Sequence, residues 1–253
     1  MAQQGDVPAT GRSWDVALGA ALSHGPDFAG AQGRQMSLTP GLYLRYGRLS
    51  LASRSAFVVR SSDPGAAGGG LRLDLSRSDA LRIGLGLRNE SGRRESSSPE
   101  LRGMGDLPRS LRLRLAARWA LPQDWRLSSS LSVDALGRGG GWLGELSLSR
   151  ELPLTPHTSW GGSAALTLAD RRHLQSRFGV TPEQAARSGH ATYTPGSGLR
   201  EMSLSAGIRS RLSPSWTAFG GVSLSRLLGP ARRSPLTREP QGLGLSAGLV
   251  FSF

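Results

Sequence analysis

The sequence predicts an all-β protein, a single closed antiparallel transmembrane barrel of about twelve strands. Three observations predict it. Apolar residues recur at every second position, the connections alternate in length, and the last segment ends in an aromatic residue. Successive strand side chains point to opposite faces, so this period gives one apolar and one polar face. No run approaches the roughly 18 uninterrupted apolar residues of a membrane helix, so membrane insertion is expected only as a barrel.

Strands are expected from residue 14 onward, each about ten residues long, which is the length that a tilted membrane strand needs. They are predicted near residues 14–22, 36–46, 48–60, 71–75, 81–87, 111–119, 125–135, 142–151, 160–168, 202–212, 216–224 and 241–253. Pro40 interrupts the second, so a bulge or bend is expected there. Residues 1–12 are predicted to form a periplasmic segment, and residues 13–253 form the barrel.

The last strand, 241–253, has the most regular alternation and is expected to close against the first. Leu249, Phe251 and Phe253 lie on its apolar face, and small, mostly polar residues lie on the other. A terminal Phe on such a strand resembles the signal read by the barrel assembly machinery of outer membranes. A soluble β-protein is the alternative that this strand alone leaves open.

The connections sort by length along the chain. The odd-numbered ones are long or glycine-rich, and the even-numbered ones are tight turns; the long ones are 24–35, 61–70, 88–109, 137–141, 169–199 and 228–240. Outer-membrane barrels have short periplasmic turns and longer extracellular loops, whereas a β-sandwich has no reason to sort loops in this way. Trp119, Trp125, Trp160 and Trp216 lie beside the short turns, as an aromatic girdle would.

A short helix is predicted inside the 169–199 connection. Thr181 supplies an N-cap hydroxyl, Pro182 occupies the first helical position, and Gln184 completes a capping box. Gly189 can end the helix in a left-handed conformation. The helix is expected to rest over the barrel mouth, either as a gating lid or, in the preferred interpretation, as a fixed cover for the strand ends.

The charge is strongly basic, with 31 basic residues, a net charge of +13, and no lysine. Because the arginines alternate with leucine along separate strands, they form no basic patch, and nucleic-acid binding is not expected. The lumen is predicted to be lined by Arg45, Arg72, Asp74, Arg82, Arg112, Arg114, Arg118, Arg126, Asp134, Glu145, Arg209 and Arg211. This lining is either a cationic path for anions or, in the preferred interpretation, a plug of arginine–carboxylate and arginine–hydroxyl bonds.

Catalytic, cofactor and metal sites are not predicted. The four histidines, His24, His157, His173 and His190, all fall in predicted connections without helical pair spacing or a carboxylate cluster. Cysteine is absent, so no disulfide framework is possible. No leader segment follows Met1, so a processed or trimmed start is expected for an exported barrel.

One stretch of the 169–199 connection has a distinctive set of residues, namely Phe178, Gly179, Val180, Thr181, Pro182, Gln184, Ala185, Ser188, Gly189 and Tyr193. This set resembles the MipA/OmpV family of outer-membrane proteins. The stretches 26–30, 102–106, 227–229 and 234–235 agree with it, so the resemblance covers nearly the whole chain.

The resemblance implies a barrel in the outer membrane of a Gram-negative bacterium, in contact with lipid and lipopolysaccharide. It also implies a non-catalytic scaffold that links a lytic transglycosylase to a penicillin-binding synthase in peptidoglycan remodelling. The alternative is a small anion-preferring porin, or an osmolarity-responsive surface protein or adhesin. A scaffold would use the short turns near 122–124, 153–157 and 213–215, which offer little of the roughly 800 Å² per partner of a stable interface.

Overall fold

A computed structural model describes residues 14–53, 69–78 and 80–253. Within these residues, twelve strands form one closed sheet in which each strand pairs antiparallel with its sequence neighbours. The strands are β1 Trp14–Pro26, β2 Arg34–Tyr46, β3 Leu49–Ala52, β4 Gly70–Arg77, β5 Leu81–Glu90, β6 Ser110–Ala120, β7 Trp125–Asp134, β8 Trp142–Pro153, β9 Thr158–Ala169, β10 Gly198–Arg211, β11 Trp216–Leu227 and β12 Gln241–Ser252. The predicted closed antiparallel barrel is confirmed, with long connections at one end and short turns at the other.

The last strand closes the barrel, as the sequence predicts. Leu249 of β12 pairs with Ala20 of β1, and Phe251 pairs with Leu18. The Phe253 amide donates to the Val16 carbonyl at 3.1 Å, which extends the ladder to the last residue. Closure leaves neither β1 nor β12 with an open row of backbone donors and acceptors.

The apolar face of the strands points outward. Leu204 and Leu224 are 49% and 54% exposed, and most other large apolar residues of the strands share this orientation. The residues between them face the lumen. Exposing an apolar surface of this extent to water is unfavourable, so the barrel exterior fits a lipid environment rather than an aqueous one.

Helices and turns gather at the long-loop end. In the described residues they are α1 Arg171–Phe178, α2 Pro182–Ser188, α3 Gly229–Arg232 and two 3-10 turns, Glu95–Ser97 and Pro99–Leu101. We call residues 91–109, 170–197 and 228–240 together the cap. In the part of the chain that the structure describes, no helix has the length and apolar character needed to cross a membrane.

The predicted helix over the barrel mouth is present as α2. The Thr181 hydroxyl accepts from the Gln184 amide, the Gln184 side chain accepts from the Thr181 amide, and Gly189 ends the helix at φ 75°. A second helix, α1, is not predicted from the sequence. It begins after Asp170, whose carboxylate accepts from the His173 amide. Its eight residues are too few for a visible helical period.

Two local predictions need correction. Of the bulge or bend predicted at Pro40, the bulge is not present, since β1 and β2 pair without interruption from Trp14 to Pro26. The Pro40 carbonyl accepts from the Ser53 hydroxyl, so the proline's missing N–H faces the β3 side and the β1–β2 ladder loses nothing. His24, predicted in a connection, lies in β1, because β1 and β2 run further than the apolar pattern that marks them.

Two further predictions lie wholly or partly outside the described residues. They are the periplasmic segment 1–12 and the parts of the third strand and its following loop that fall within 54–68. The described part of the third strand is Leu49–Ala52, which pairs with β2 on one side and β4 on the other.

Candidate functional site: an arginine-lined lumen beneath a loop cap

The lumen has two chemically different walls. The first, on β4 to β8, carries inward charged side chains: Arg72, Asp74, Arg82, Arg88, Arg112, Arg114, Arg118, Arg126, Glu145 and Glu151. The opposite wall, on β9 to β12 and β1, carries mainly serine, glycine and alanine, with Arg209 as a charged exception. The serines bond to each other there, as between the Ser163 and Ser205 hydroxyls at 3.0 Å.

A cavity of about 450 Å³ lies against the arginine wall. Among described residues, its lining has seven arginines (Arg72, Arg82, Arg88, Arg114, Arg118, Arg126 and Arg209) and two glutamates (Glu145 and Glu151). A second cavity, of about 660 Å³, lies against the serine wall and shares Arg126, Glu151 and Arg209 with the first. The two spaces are therefore neighbours, and positive charge predominates where they meet.

Ion pairs neutralise only part of the arginine wall. Arg72 pairs with Asp74 at 2.8 Å, and Arg114 pairs with Glu145 at 3.2 Å. Arg126 and Glu151 are 3.6 Å apart, and Arg45 and Asp74 are 3.5 Å apart. Within the described ranges, Arg82 and Arg209 form no ion pair. The predicted plug of arginine bonds therefore coexists with cavities and with an excess of positive charge.

Four of the residues predicted to line the lumen serve its ends instead. Arg112 is almost fully buried; its guanidinium pairs with Glu90 at 2.9 Å and donates to the carbonyls of Gly140 and Gly141. The Asp134 carboxylate accepts from the Ser110 hydroxyl and from the Gly140 amide. Both residues therefore fix the 135–141 connection.

The other two lie at the short-turn end, where Arg211 approaches the His157 ring at 3.1 Å and Arg45 donates to the Gly47 carbonyl. Asp74, beside Arg45, takes part in the ion pairs given above. These contacts anchor turns, so strand alternation alone did not separate cavity-lining arginines from anchoring ones.

The residues of the family motif organise the cap. Val180 and Tyr193 exchange two backbone hydrogen bonds of 2.9 Å, and the Tyr193 hydroxyl donates to the Pro230 carbonyl at 2.8 Å. The Gln184 side chain donates to the Met104 carbonyl, which ties α2 to the 91–109 segment. The remaining members pack or cap nearby: Phe178 is buried in one cluster with Leu174, Gly179 ends α1, Ala185 packs against the buried cluster that contains Val180, and the Ser188 hydroxyl accepts from the His190 amide.

The histidines do not form a shared centre. Over the ranges 14–53, 69–78 and 80–253, no group of three His, Cys, Asp or Glu side chains could hold a metal ion. The His190 ring lies 2.9 Å from the Glu100 carbonyl, and the His173 ring lies 3.1 Å from the Gly140 carbonyl. These two rings therefore serve local loop contacts.

The chain is similar to one protein family. A family model described as "MltA-interacting protein MipA" matches residues 18–253. No curated protein matches the chain.

Several solved structures are similar to this chain over most of its length. A bacterial polysaccharide outer membrane secretin is 14% identical with a TM-score of 0.49, covering 94% of this chain and 98% of that chain. The NanC porin is 7% identical with a TM-score of 0.47, covering 93% and 100%. An anion-selective porin from Comamonas acidovorans is 10% identical with a TM-score of 0.44, covering 95% and 98%. Likeness at these identities does not extend to function.

Proposed function

This chain belongs to the MipA family, and from that premise we propose that it is an outer-membrane barrel whose lumen admits small anions. The observation that carries the proposal is the cavity lining of seven arginines and two glutamates. Guanidinium groups keep their charge at any physiological pH and match the geometry of carboxylates and phosphates. A wall of them lowers the energy of an anion in the lumen and raises that of a cation.

The serine wall complements this electrostatic preference. Its hydroxyls both donate and accept hydrogen bonds, so they can replace water around a solute whose charge is directed at the arginines. The cavity volumes of about 450 and 660 Å³ are comparable with those of small-molecule sites. We therefore expect the solute to be a small hydrophilic anion.

Conductance in planar bilayers tests this function. Under a salt gradient, purified protein should give steps with a reversal potential that indicates anion preference. The double variant Arg82→Ser/Arg209→Ser should shift that potential towards zero, because these arginines form no ion pair among the described residues and few bonds would be lost. The single variant Arg209→Ser should shift the potential in the same direction. Arg226→Ser, which removes one charge from the outward row of β11 that includes Leu224, is its matched control and should leave the potential unchanged. A silent membrane, or equal shifts in Arg209→Ser and Arg226→Ser, would contradict the pore.

A scaffold is the second candidate, and a specific observation favours it. Leu154 and Leu212 beside the short turns are 58% and 63% exposed, and Leu121 at a third short turn is also exposed. The family description names a protein that interacts with MltA. In this proposal the barrel is non-catalytic and uses these leucines to hold a lytic transglycosylase beside a penicillin-binding synthase.

Co-purification tests the scaffold. The variant Leu154→Ser/Leu212→Ser should lose a tagged lytic transglycosylase of the MltA type that the unmodified chain retains, because it removes apolar contact area from the periplasmic end. Leu136→Ser, an exposed leucine in the 135–141 connection at the opposite end, is the control and should retain it. Retention by both variants would count against a role for the short turns.

A further inference from the structure

A third cavity lies inside the cap, between the ends of β1 and β2, the 90–97 segment and α1. Its volume is about 700 Å³. Among the described residues, its charged lining consists of Arg93, Arg94, Arg177 and Arg200 against Asp27 and Glu90. Phe28 and Phe178 form aromatic walls, and Gln35 forms a polar one. Of these residues only Gln35 also lines the lumen cavities, so the vestibule, as we call this space, is a separate site.

Glu90 cannot neutralise the vestibule, because two arginines already share its carboxylate. One oxygen pairs with Arg112 at 2.9 Å, and the other pairs with Arg177 at 3.1 Å. The Arg177 guanidinium also donates to the Ser91 carbonyl at 3.0 Å, which fixes its position at the wall. One carboxylate between two cations leaves a net positive charge at this point.

Arg93 has no carboxylate partner in the part of the chain described. Its Nη1 donates to the Arg177 carbonyl at 2.8 Å, and its guanidinium carbon is 5.8 Å from the centre of the Phe28 ring. Its Nε is buried without a hydrogen-bond acceptor. Burial and the neighbouring charge of Arg177 lower the pKa of Arg93 to about 10, so the group stays charged at neutral pH.

Arg200 has a similar surplus of donors. One of its nitrogens pairs with Glu201 at 3.0 Å, another lies 3.4 Å from Nε2 of His173, and its Nε has no acceptor. His173 adds no charge, because burial and the Arg200 charge lower its pKa to about 3. A neutral ring whose Nδ1 donates to the Gly140 carbonyl can accept from Arg200 at Nε2.

We propose that the vestibule binds a small anion with at least two oxyanion groups, either carboxylates or phosphate oxygens. The lining sets four arginines against two carboxylates, one of which is already shared by two arginines, and such an anion offsets the remaining positive charge. Bidentate pairing suits the planar guanidinium, and the volume is that of a small-molecule site. This site goes beyond the proposed lumen function, because binding here requires no passage through the barrel.

Titration calorimetry of the full chain in detergent tests the site, with citrate, inorganic phosphate and neutral glycerol as the probes. Saturable one-to-one binding of citrate or phosphate, without glycerol binding, is the expected result. Citrate binding alone would identify carboxylate as the ligand chemistry, and phosphate binding alone would identify phosphate. Absence of saturable binding for both anions up to about 10 mM would overturn the proposal.

Matched variants separate the vestibule from general positive charge. Arg93→Gln should weaken anion binding about tenfold or more, because a charge-assisted bond is lost. Arg94→Gln, at an exposed position that folding should tolerate, should weaken it several-fold. Arg172→Gln removes the same charge from an exposed position of α1 outside the vestibule and should bind as the unmodified chain does. An equal loss in Arg172→Gln would overturn the proposal. Bilayer conductance is a separate readout, so a silent pore would leave this result intact.

Discussion

The cap and the barrel wall bury their leucines in opposite ways. Leu101, Leu174 and Leu236 of the cap are fully buried, whereas Leu204 and Leu224 of the wall are about half exposed on the outside of the barrel. The cap therefore follows the rules of a water-soluble protein, with an apolar centre and specific hydrogen bonds. The wall reverses that pattern, because its apolar surroundings are expected to be lipid. One chain thus has two opposite patterns of burial, and the change from one to the other lies where the strands end and the long loops begin.

Leucine truncation should give the largest difference between the two regions. Leu174→Ala leaves a cavity in the cap core and should destabilise the cap by about 3 kcal/mol. Leu204→Ala, the matched change on the outside of the wall, creates no enclosed cavity and should cost less than about 1 kcal/mol. Hydrogen–deuterium exchange of the α1 amides should then rise about a hundredfold for the first variant only. Similar exchange in the two variants would show that the cap has no core of its own.

Two glycines of the cap sharpen the comparison further. A Cβ at Gly103 would lie 2.7 Å from the backbone of Arg187 and Ser188, whereas a Cβ at Gly105 would meet nothing within 4 Å. Both have positive φ, so alanine costs about 1 kcal/mol of backbone strain at either position. Gly103→Ala should cost about 1–2 kcal/mol more, because α2 must shift. Protease cleavage within 91–109 should increase for Gly103→Ala beyond the level of Gly105→Ala; equal cleavage would contradict this packing.

Acid should loosen the cap through His173. Arg200 of β10, Arg112 of β6 and Arg177 of α1 surround the ring, and burial together with these charges lowers its pKa to about 3. An unfolded histidine has a pKa near 6.5, so below that pH only the unfolded form gains the proton. The folded cap is therefore fully stable with respect to this ring above about pH 6.5, and this contribution to its stability is lost as pH falls towards 3.

At pH 5.5 the folded cap should have lost about 1.4 kcal/mol of its free energy of unfolding, which is the smallest effect of the three. His173→Gln keeps a donor and an acceptor but does not titrate, so its cap should show no such pH dependence. Exchange of α1 amides at pH 7.5 and 5.5, corrected for intrinsic rates, measures the effect. A flat profile for the unmodified chain would contradict the neutral buried ring.

Periodicity predicted the barrel wall well because the wall depends on a pattern between neighbouring residues of each strand. A strand with one outer and one inner face needs only alternation, and β12 shows it over its whole length. The α2 helix was also predictable, since Thr181, Gln184 and Gly189 satisfy their backbone partners within a few residues. By contrast, α1 has only the Asp170 N-cap as a local signal. Its Leu174 and Phe178 are buried by residues of α3 and β11, which the local sequence does not indicate.

The charged residues show where sequence reasoning stops. Alternation placed Arg112 and Arg114 on the same inward face, yet Arg112 is held by Glu90 and by two carbonyls of the 135–141 connection, whereas Arg114 lines a cavity. The vestibule was not predicted, because Arg93, Arg177 and Arg200 come from three separate segments. Only the closed structure brings those segments together.

The amino-acid sequence by itself determined the strand period, the sorting of loop lengths, the aromatic closing strand and the capping of α2. Each depends on interactions between residues that are close along the chain, or on which face of a strand is apolar. The tertiary structure decided which arginines are neutralised, where cavities form and how the loops interlock. Those outcomes depend on distances between segments that lie far apart along the chain, such as the contact of His190 with Glu100, and no local pattern encodes them.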